Sequence, residues 1–309
     1  MEFCSYEEAE ETARIIRESG LPYLIIGGGS NLLLTRDFDG IVVRSAINTV
    51  SEDGERVLCG SGVEWDWLVE QLVSHGLYGA ENLSLIPGDV GATAVQNIGA
   101  YGVEAKDLIE RVWAIDITTG EKRLFLNEEC GYGYRQSRFK TEWRNRYLIT
   151  QVDYRLSREF QPSLDYGNIR TELQRRNILV PTPEELRQVI IDIRREKLPD
   201  PKEMGNAGSF FMNPVVSRQQ YEVLAARYAG MPHYDVDNDR VKIPAGWMIE
   251  QCGWKGRSFG RAGVHDRQAL VLVNLGGATG SEIVTLCEAI RHDVRSKFSI
   301  DIHPEVNIV

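Results

Sequence analysis

The chain has 309 residues, 42% hydrophobic and 26% charged, a composition that excludes a disordered or fibrous protein and leaves room for two domains. Its 35 Lys+Arg against 45 Asp+Glu give a formal charge of −10, which argues against a nucleic-acid binder working by counterion release. No apolar run of the ~18 residues that cross a bilayer is present and the N-terminus lacks a signal-peptide layout, so a cytoplasmic protein without membrane contact is expected.

A Ser5-x-x-Glu8 box opens a helix expected over Tyr6–Ser19, with Ala9, Ala13 and Ile16 on one face and Gly20 as its stop. A buried strand at Tyr23–Ile26 runs into Gly27-Gly28-Gly29-Ser30-Asn31, then an apolar stretch over 32–34, an Asp39-Gly40 turn and a strand over 41–43. Trp65–Ser74 reads as a helix stopped by Gly76, and β-rich runs at 112–117 and 147–154 predict a mostly strand-built remainder of the first half. After Leu156 the chain is Arg-rich and irregular up to a helix capped by Thr182, with Pro183 first, Glu185 closing the box, and Leu186, Val189, Ile190 and Ile193 facing inward. That helix ends at Leu198-Pro199, and Pro199-Asp200-Pro201 is the expected domain boundary, because proline biases its predecessor towards extended structure. Beyond it, helices are expected over 219–229, 246–252 and, after a Thr279-x-x-Glu282 box, 282–298, with strands at 269–275 and 306–308. The alternation of helices and strands says α+β or α/β.

The acidic excess lies in residues 1–150, whereas the rest is balanced, so an anionic ligand is expected to prefer the second half. Cys4, Cys59, Cys130, Cys252 and Cys287 show no C-x-x-C spacing and the five histidines no metal-ligand spacing, so neither a disulfide framework nor a metal site is expected. Gly27 to Asn31 is either a tight turn or a cradle in which a phosphate meets backbone N–H groups with no Cβ in the way. It is not a dinucleotide fingerprint: Leu32 stands where G-x-G-x-x-G needs its last glycine, and no helical pattern follows. A second glycine-rich stretch runs from Pro87-Gly88 through Gly91-Ala92 to Gln96-Asn97-Ile98-Gly99-Ala100-Tyr101-Gly102. It fits either a flat or pyrophosphate-bearing cofactor on the backbone, or close packing of strand on helix.

Three single residues carry further chemistry. Arg135, beside Tyr134 in a cationic and aromatic run, belongs to a solvated face or is a buried guanidinium that clamps a carboxylate. Ser209 in Gly208-Ser209-Phe210-Phe211 does not match G-x-S-x-G, which leaves a turn residue or a hydroxyl donor in an apolar setting. Glu305 beside a short apolar strand is a surface residue or a buried acid with a raised pKa.

In their order along the chain, these segments together with Gly133-Tyr134-Arg135, Asn213-Pro214, Ala245-Gly246-Trp247, Gln251-Cys252 and Pro304-Glu305-Val306 resemble the UDP-N-acetylenolpyruvoylglucosamine reductase family. The resemblance implies an FAD-binding domain of the vanillyl-alcohol-oxidase/PCMH type over residues 1–158, in subdomains of about 1–45 and 46–158. It implies a linker with a Tyr166 loop over 159–198 and an α+β substrate-binding domain over 199–309. The activity implied is NADPH-dependent, FAD-mediated reduction of UDP-N-acetylglucosamine enolpyruvyl ether to UDP-N-acetylmuramate, a step of peptidoglycan precursor synthesis and hence of cell-wall biogenesis, by a cytoplasmic monomer. Carried over, the catalytic set is Arg135, Ser209 and Glu305. The FAD set is Gly27, Gly28, Gly29, Ser30 and Asn31, with Pro87, Gly88, Gly91, Ala92, Gln96, Asn97 and the run Gly99, Ala100, Tyr101, Gly102. Tyr134, Tyr166, Lys197, Asn213 and Gln251 are assigned to substrate. Two departures stand out: relatives carry a further segment with an Asn-Thr-Phe element ahead of the first helix, so a missing N-terminal piece is expected, and relatives often show lysine where Met212 stands. The rival readings are a flavin oxidase of the same domain class and a flavin-free nucleotide-sugar binder.

Overall fold

The computed structural model describes residues Met1–Val309. They form two compact units, Met1–Gly29 with Phe38–Arg194, and Ser30–Asp37 with Arg195–Val309.

In the first unit, helix α1 (Tyr6–Ser19) begins where Ser5 Oγ accepts the Glu8 N–H and ends at left-handed Gly20. The Glu8 carboxylate reaches back one residue further than a standard box, accepting the Cys4 N–H at 2.6 Å. Its buried face, Ala9, Ala13 and Ile16, packs on Phe3, Val43, Ile115 and Leu148. Beneath it lies a three-stranded parallel sheet with Ile41–Ser45 in the middle, flanked by Glu2–Phe3 and Tyr23–Ile26. Tyr23–Ile26, expected to be buried, is only half-buried along its length, because it is an edge strand with one neighbour.

A five-stranded antiparallel sheet makes the rest of this unit's frame, in the order Lys122–Leu126, Ile109–Asp116, Tyr147–Arg155, Arg56–Gly60, Val50–Asp53. Helix α2 (Trp65–Ser74) buries Trp65, Leu68 and Leu72 against it. Two polar groups in this core are paired: Trp65 Nε1–H donates to the Leu83 carbonyl at 2.9 Å, and the Thr93 and Tyr154 hydroxyls lie 2.6 Å apart.

Two helices have little signal in the sequence. Helix α3 (Val90–Gln96) contains Gly91, which disfavours helix by about 1 kcal/mol relative to alanine. Yet a Cβ there would lie 2.9 Å from Ser61 Cβ, so the helix approaches the sheet strand as closely as it does only because position 91 is glycine. Helix α4 (Ile169–Arg175) lies in the stretch expected to be irregular. Its apolar signal is one i,i+4 pair, Ile169 and Leu173, and it is held by packing on Leu186, Val189, Ile190 and Ile193 of α5 (Pro183–Lys197). The α5 cap is as expected, with Thr182 Oγ1 accepting the Glu185 N–H and Glu185 accepting the Thr182 N–H at 2.8 Å.

In the second unit, helices α6 (Arg218–Arg227), α7 (Ala245–Gln251) and α8 (Gly280–Phe298) accompany a four-stranded sheet. Its order is Asn206–Ser209, Val271–Asn274, Ala262–Val264, Ser258–Phe259. Leu286, Cys287, Ile290, Val294 and Phe298 bury the inner face of α8. The sequence reading carried Ser30–Asp37 with the first domain, but in the structure Leu32–Leu33 pairs parallel with Asn307–Ile308 near the C-terminus. Thr35 donates both its N–H and its hydroxyl to the Val309 carbonyl, at 2.7 and 2.8 Å. Gly280 opens α8 directly against Leu34, whose carbonyl oxygen would clash with any Cβ at position 280.

Candidate active site

In the first unit the two glycine-rich stretches lie against each other. A Cβ on Gly28 would stand 3.3 Å from both Gly88 Cα and Asp89 Oδ1, and one on Gly27 would stand 3.6 Å from Ala92 Cβ. Gly29, at φ +75°, has open space where its Cβ would be. At Gly27 and Gly28 the two stretches therefore pack backbone against backbone, whereas the face of Gly29 is open. Polar atoms are left over beside it: Asp89 Oδ2 and Gln96 Oε1 are buried without hydrogen-bond partners. Burial pushes the Asp89 carboxyl up in pKa, against the pull of Arg44, whose Nη2 lies 3.6 Å from Oδ2.

Close packing, the other reading of these glycines, holds at Gly91 and Gly99 as well. Gly91 seats α3 on Ser61, and Gly99 makes room for Arg135, whose Nη1 would lie 2.6 Å from a Cβ there. The Asn97 side chain is likewise committed to the protein. Its Nδ2 donates to the Gly133 carbonyl at 2.8 Å and its Oδ1 accepts the Lys106 N–H at 2.9 Å, tying the glycine-rich stretch to the arginine segment.

Arg135 is not part of a solvated face. It is half-buried, adopts φ +54°, donates from Nη2 to the Gly99 carbonyl and stacks 5.4 Å above the Tyr134 ring centroid. A bulky residue in the left-handed region is strained. Its neighbour Arg138 is exposed, so the cationic run divides between one side chain turned inward and one in solvent.

Tyr101 and Gly102 form the tip of a two-residue hairpin between the Gly99–Ala100 and Val103–Glu104 strands, both at positive φ, 49° and 86°. Against that tip sits Tyr166: its Cβ would be 3.3 Å from a Cβ on Gly102, while the Tyr101 ring would meet a Cβ on Gly167 at 3.4 Å. Asn82 holds the pair. It is 2% exposed, and its Nδ2 donates to the Tyr101 carbonyl at 2.8 Å and the Ser163 carbonyl at 2.9 Å. Nothing local singles out Asn82 in the sequence, since its two partners are distant along the chain. Asn82→Ala removes the donor shared by the Tyr101 and Ser163 carbonyls, and a loss of about 1–3 kcal/mol is expected. Faster proteolysis or amide exchange confined to the hairpin tip and the Tyr166 loop checks it; unchanged protection there would show the bridge to be idle.

In the second unit, Ser209 ends the strand Asn206–Ser209 rather than sitting in a turn, and it is exposed. The pairing with Val271–Asn274 shifts register between Asn206 and Ser209, and Gly208 takes φ +71°, a bulge that re-aims the serine relative to the regular pleat. Phe210 and Phe211 behind it are each 1% exposed and anchor the strand end. Glu305 is brought to the same place. Its N–H donates to the Phe210 carbonyl at 2.8 Å, the Met212 N–H donates to the His303 carbonyl at 2.9 Å, and Phe211 bridges Pro304 antiparallel. The Glu305 carbonyl accepts Asn31 Nδ2 at 3.4 Å. Asn213 Oδ1 accepts the Ala245 N–H at 2.9 Å at the start of α7, and Gln251 closes that helix, its carbonyl taking Lys297 Nζ. Lys197 is the half-buried last residue of α5.

Family models match two parts of the chain: an FAD binding domain over residues 2–123, and the UDP-N-acetylenolpyruvoylglucosamine reductase C-terminal domain over 200–309. A UDP-N-acetylenolpyruvoylglucosamine reductase of Bacteroides fragilis is 53% identical over 314 residues, spanning 99% of this chain and 94% of its own. The chain belongs to the UDP-N-acetylenolpyruvoylglucosamine reductase family. Another member, from Burkholderia multivorans, is 46% identical over 303 residues, covering 96% of this chain and 87% of that one. The crystal structure of the Thermus caldophilus reductase matches with a TM-score of 0.68 over 99% of this chain and 90% of that one; at 24% identity it speaks for the fold. The Gly28 and Gly88 walls lie within the matched FAD binding domain, and Ser209 and Glu305 within the matched reductase domain.

Proposed function

We propose that this chain reduces the enolpyruvyl ether of UDP-N-acetylglucosamine to UDP-N-acetylmuramate with NADPH, acting as a cytoplasmic monomer in peptidoglycan precursor synthesis. The observation that carries this reading is the antiparallel run of 210–212 with 303–305, which puts Glu305 beside Ser209 inside the reductase-family domain. No helix is long and apolar enough to cross a membrane.

Bound FAD would supply the hydride transfer between NADPH and the ether. Gly27, Gly28, Gly29, Gly88 and Ala92 would hold it, Gly29 with its backbone open, and the leftover acceptors on Asp89 and Gln96 would suit its hydroxyl and imide hydrogens. Ser30, Asn31, Pro87, Ala100, Tyr101 and Gly102 complete the flavin set.

The chain's own residues manage charge and one proton. Arg135, always cationic and fixed by the Gly99 carbonyl and the Tyr134 ring, holds the ligand's carboxylate and offsets the negative charge that builds on it. Glu305 in its acid form donates to the same developing charge. Ser209 delivers its hydroxyl proton to the carbon beside the carboxylate, which is why it needs no nucleophile elbow. Tyr166 closes over the ligand from its seat on Gly102, and Lys197 faces the diphosphate. Tyr134, Asn213 and Gln251 add contacts to the sugar nucleotide. The first unit is the flavin domain and the second the substrate domain.

The purified protein is expected to be yellow and to consume NADPH only when the enolpyruvyl ether is supplied. A flavin-loaded protein that leaves the ether unreduced overturns the reading. Rapid reoxidation of the reduced flavin by oxygen alone would favour an oxidase, and a colourless preparation that binds UDP-N-acetylglucosamine would favour a binder.

A further inference from the structure

Helix α5 carries two inward arginines two turns apart, Arg187 and Arg194, which therefore share a face. Arg187 is fully accounted for. Its Nη1 donates to Asp66 Oδ1 at 2.7 Å and its Nη2 to the Asp66 carbonyl at 3.3 Å, and the same Oδ1 also accepts the Leu85 N–H at 2.6 Å. Arg194, on the last turn, has no such partner: its Nε is buried with nothing to donate to.

Its surroundings belong to the reaction site. Tyr101 packs against the apolar cluster to which Ile190 and Ile193 of α5 belong. Tyr101 lies two residues beyond Gly99, whose carbonyl holds the Arg135 guanidinium. The end of α5, the Tyr101 hairpin and the head of Arg135 thus meet within the first unit. The ionisable groups that face Arg194 are the Tyr101 phenol, Asp66 and Arg135. Burial pushes the Arg194 pKa down and Arg135 adds to it, although a guanidinium stays charged at neutral pH. Two cations therefore converge where the one carboxylate in reach is already taken by Arg187 and a backbone N–H. A buried charge left without a counter-charge is costly, and an anionic ligand removes that cost.

We propose that Arg194 is a second anion-binding residue of the site, which together with Arg135 takes the carboxylate of the enolpyruvyl ligand. Two planar forks suit a carboxylate, whose two oxygens present in-plane lone pairs to each. The inference rests on the function proposed above and adds a residue to it.

The test uses the full-length flavoprotein and two ligands that differ in the carboxylate: the enolpyruvyl ether and UDP-N-acetylglucosamine. Each is titrated against the flavin spectrum of the parent, Arg194→Met and Arg194→Lys proteins. Arg194→Met is expected to bind the enolpyruvyl ether ~10- to 100-fold more weakly, the worth of a charge-assisted hydrogen bond, and UDP-N-acetylglucosamine as the parent does. Reoxidation of the dithionite-reduced flavin by the ether should slow in parallel, with Arg194→Lys recovering part of both. Equal weakening of the two ligands, or none of either, overturns the proposal. Should Arg194→Met not retain flavin, Arg194→Lys is read by the same criterion, selective weakening of the ether supporting the proposal and its absence overturning it. Failure of the parent protein to reduce the ether is a different result, one that overturns the function and is seen before any variant is made.

Discussion

Ser209→Ala is expected to leave flavin reduction by NADPH intact and to slow reoxidation by the enolpyruvyl ether about 100- to 10,000-fold, the range that a positioned proton donor contributes. The separation follows from where the serine sits. Its hydroxyl is exposed at a bulged strand end, so removing one oxygen disturbs no core contact, and stability should stay within about 0.5 kcal/mol of the parent. Phe210 and Phe211, both buried, keep the strand end in place whatever side chain precedes them. Anaerobic stopped-flow reads the two half-reactions separately at the flavin absorbance. If both rates fall together, the serine shapes the site rather than supplying the proton; if neither falls, another group supplies it. Ser209→Cys, which keeps a proton on a larger atom, should fall between parent and alanine.

Gly28→Val should remove flavin. A Cβ at this position already meets Gly88 Cα and Asp89 Oδ1 at 3.3 Å, tighter than ordinary contact, and the two further methyl groups of valine extend over the wall that the cofactor needs bare. Overpacking alone costs about 1–3 kcal/mol of stability, before the blocked approach to the backbone is counted. The variant should purify colourless or take up FAD only at high concentration, as read from absorbance near the flavin band and from quenching of free FAD fluorescence. Gly54→Ala is the control: its φ is positive, +63°, and it lies in a surface turn with nothing near its Cβ. It should lose about 1 kcal/mol to backbone strain and stay yellow. A yellow Gly28→Val would place the cradle elsewhere.

The parts of the fold that were legible in the sequence were those stabilised within a few residues. The Ser5, Thr182 and Thr279 caps, the apolar stripes of α1, α5 and α8 and the left-handed stop at Gly20 are all local interactions, so a short window contains both partners. Ordered glycine-rich and polar motifs also carried the family resemblance, because close backbone approach restricts residue type at each position. Helices α3 and α4 were not legible for the opposite reason. Gly91 argues against helix locally and is required by Ser61, whereas α4 has too few apolar residues to be amphipathic without α5 beside it.

The same division runs through the site. By itself the sequence determined that Arg135, Ser209 and Glu305 stand in family motifs, that glycines recur at 27–29 and 88, and that the chain is a mixed α and β protein. Only the tertiary structure decided what each packs against. It turned Arg135 inward onto Gly99, gave Gly91 and Gly99 to packing, and carried Ser30–Asp37 to the strand beside Glu305. It also brought out Asn82 and Arg194, one bridging two loops far apart along the chain and the other left with a buried Nε that bonds to nothing. The physical reason is that a residue's chemistry is set by its type, which the sequence contains, while its partner is set by packing. In this protein the partners that matter lie tens to hundreds of residues away.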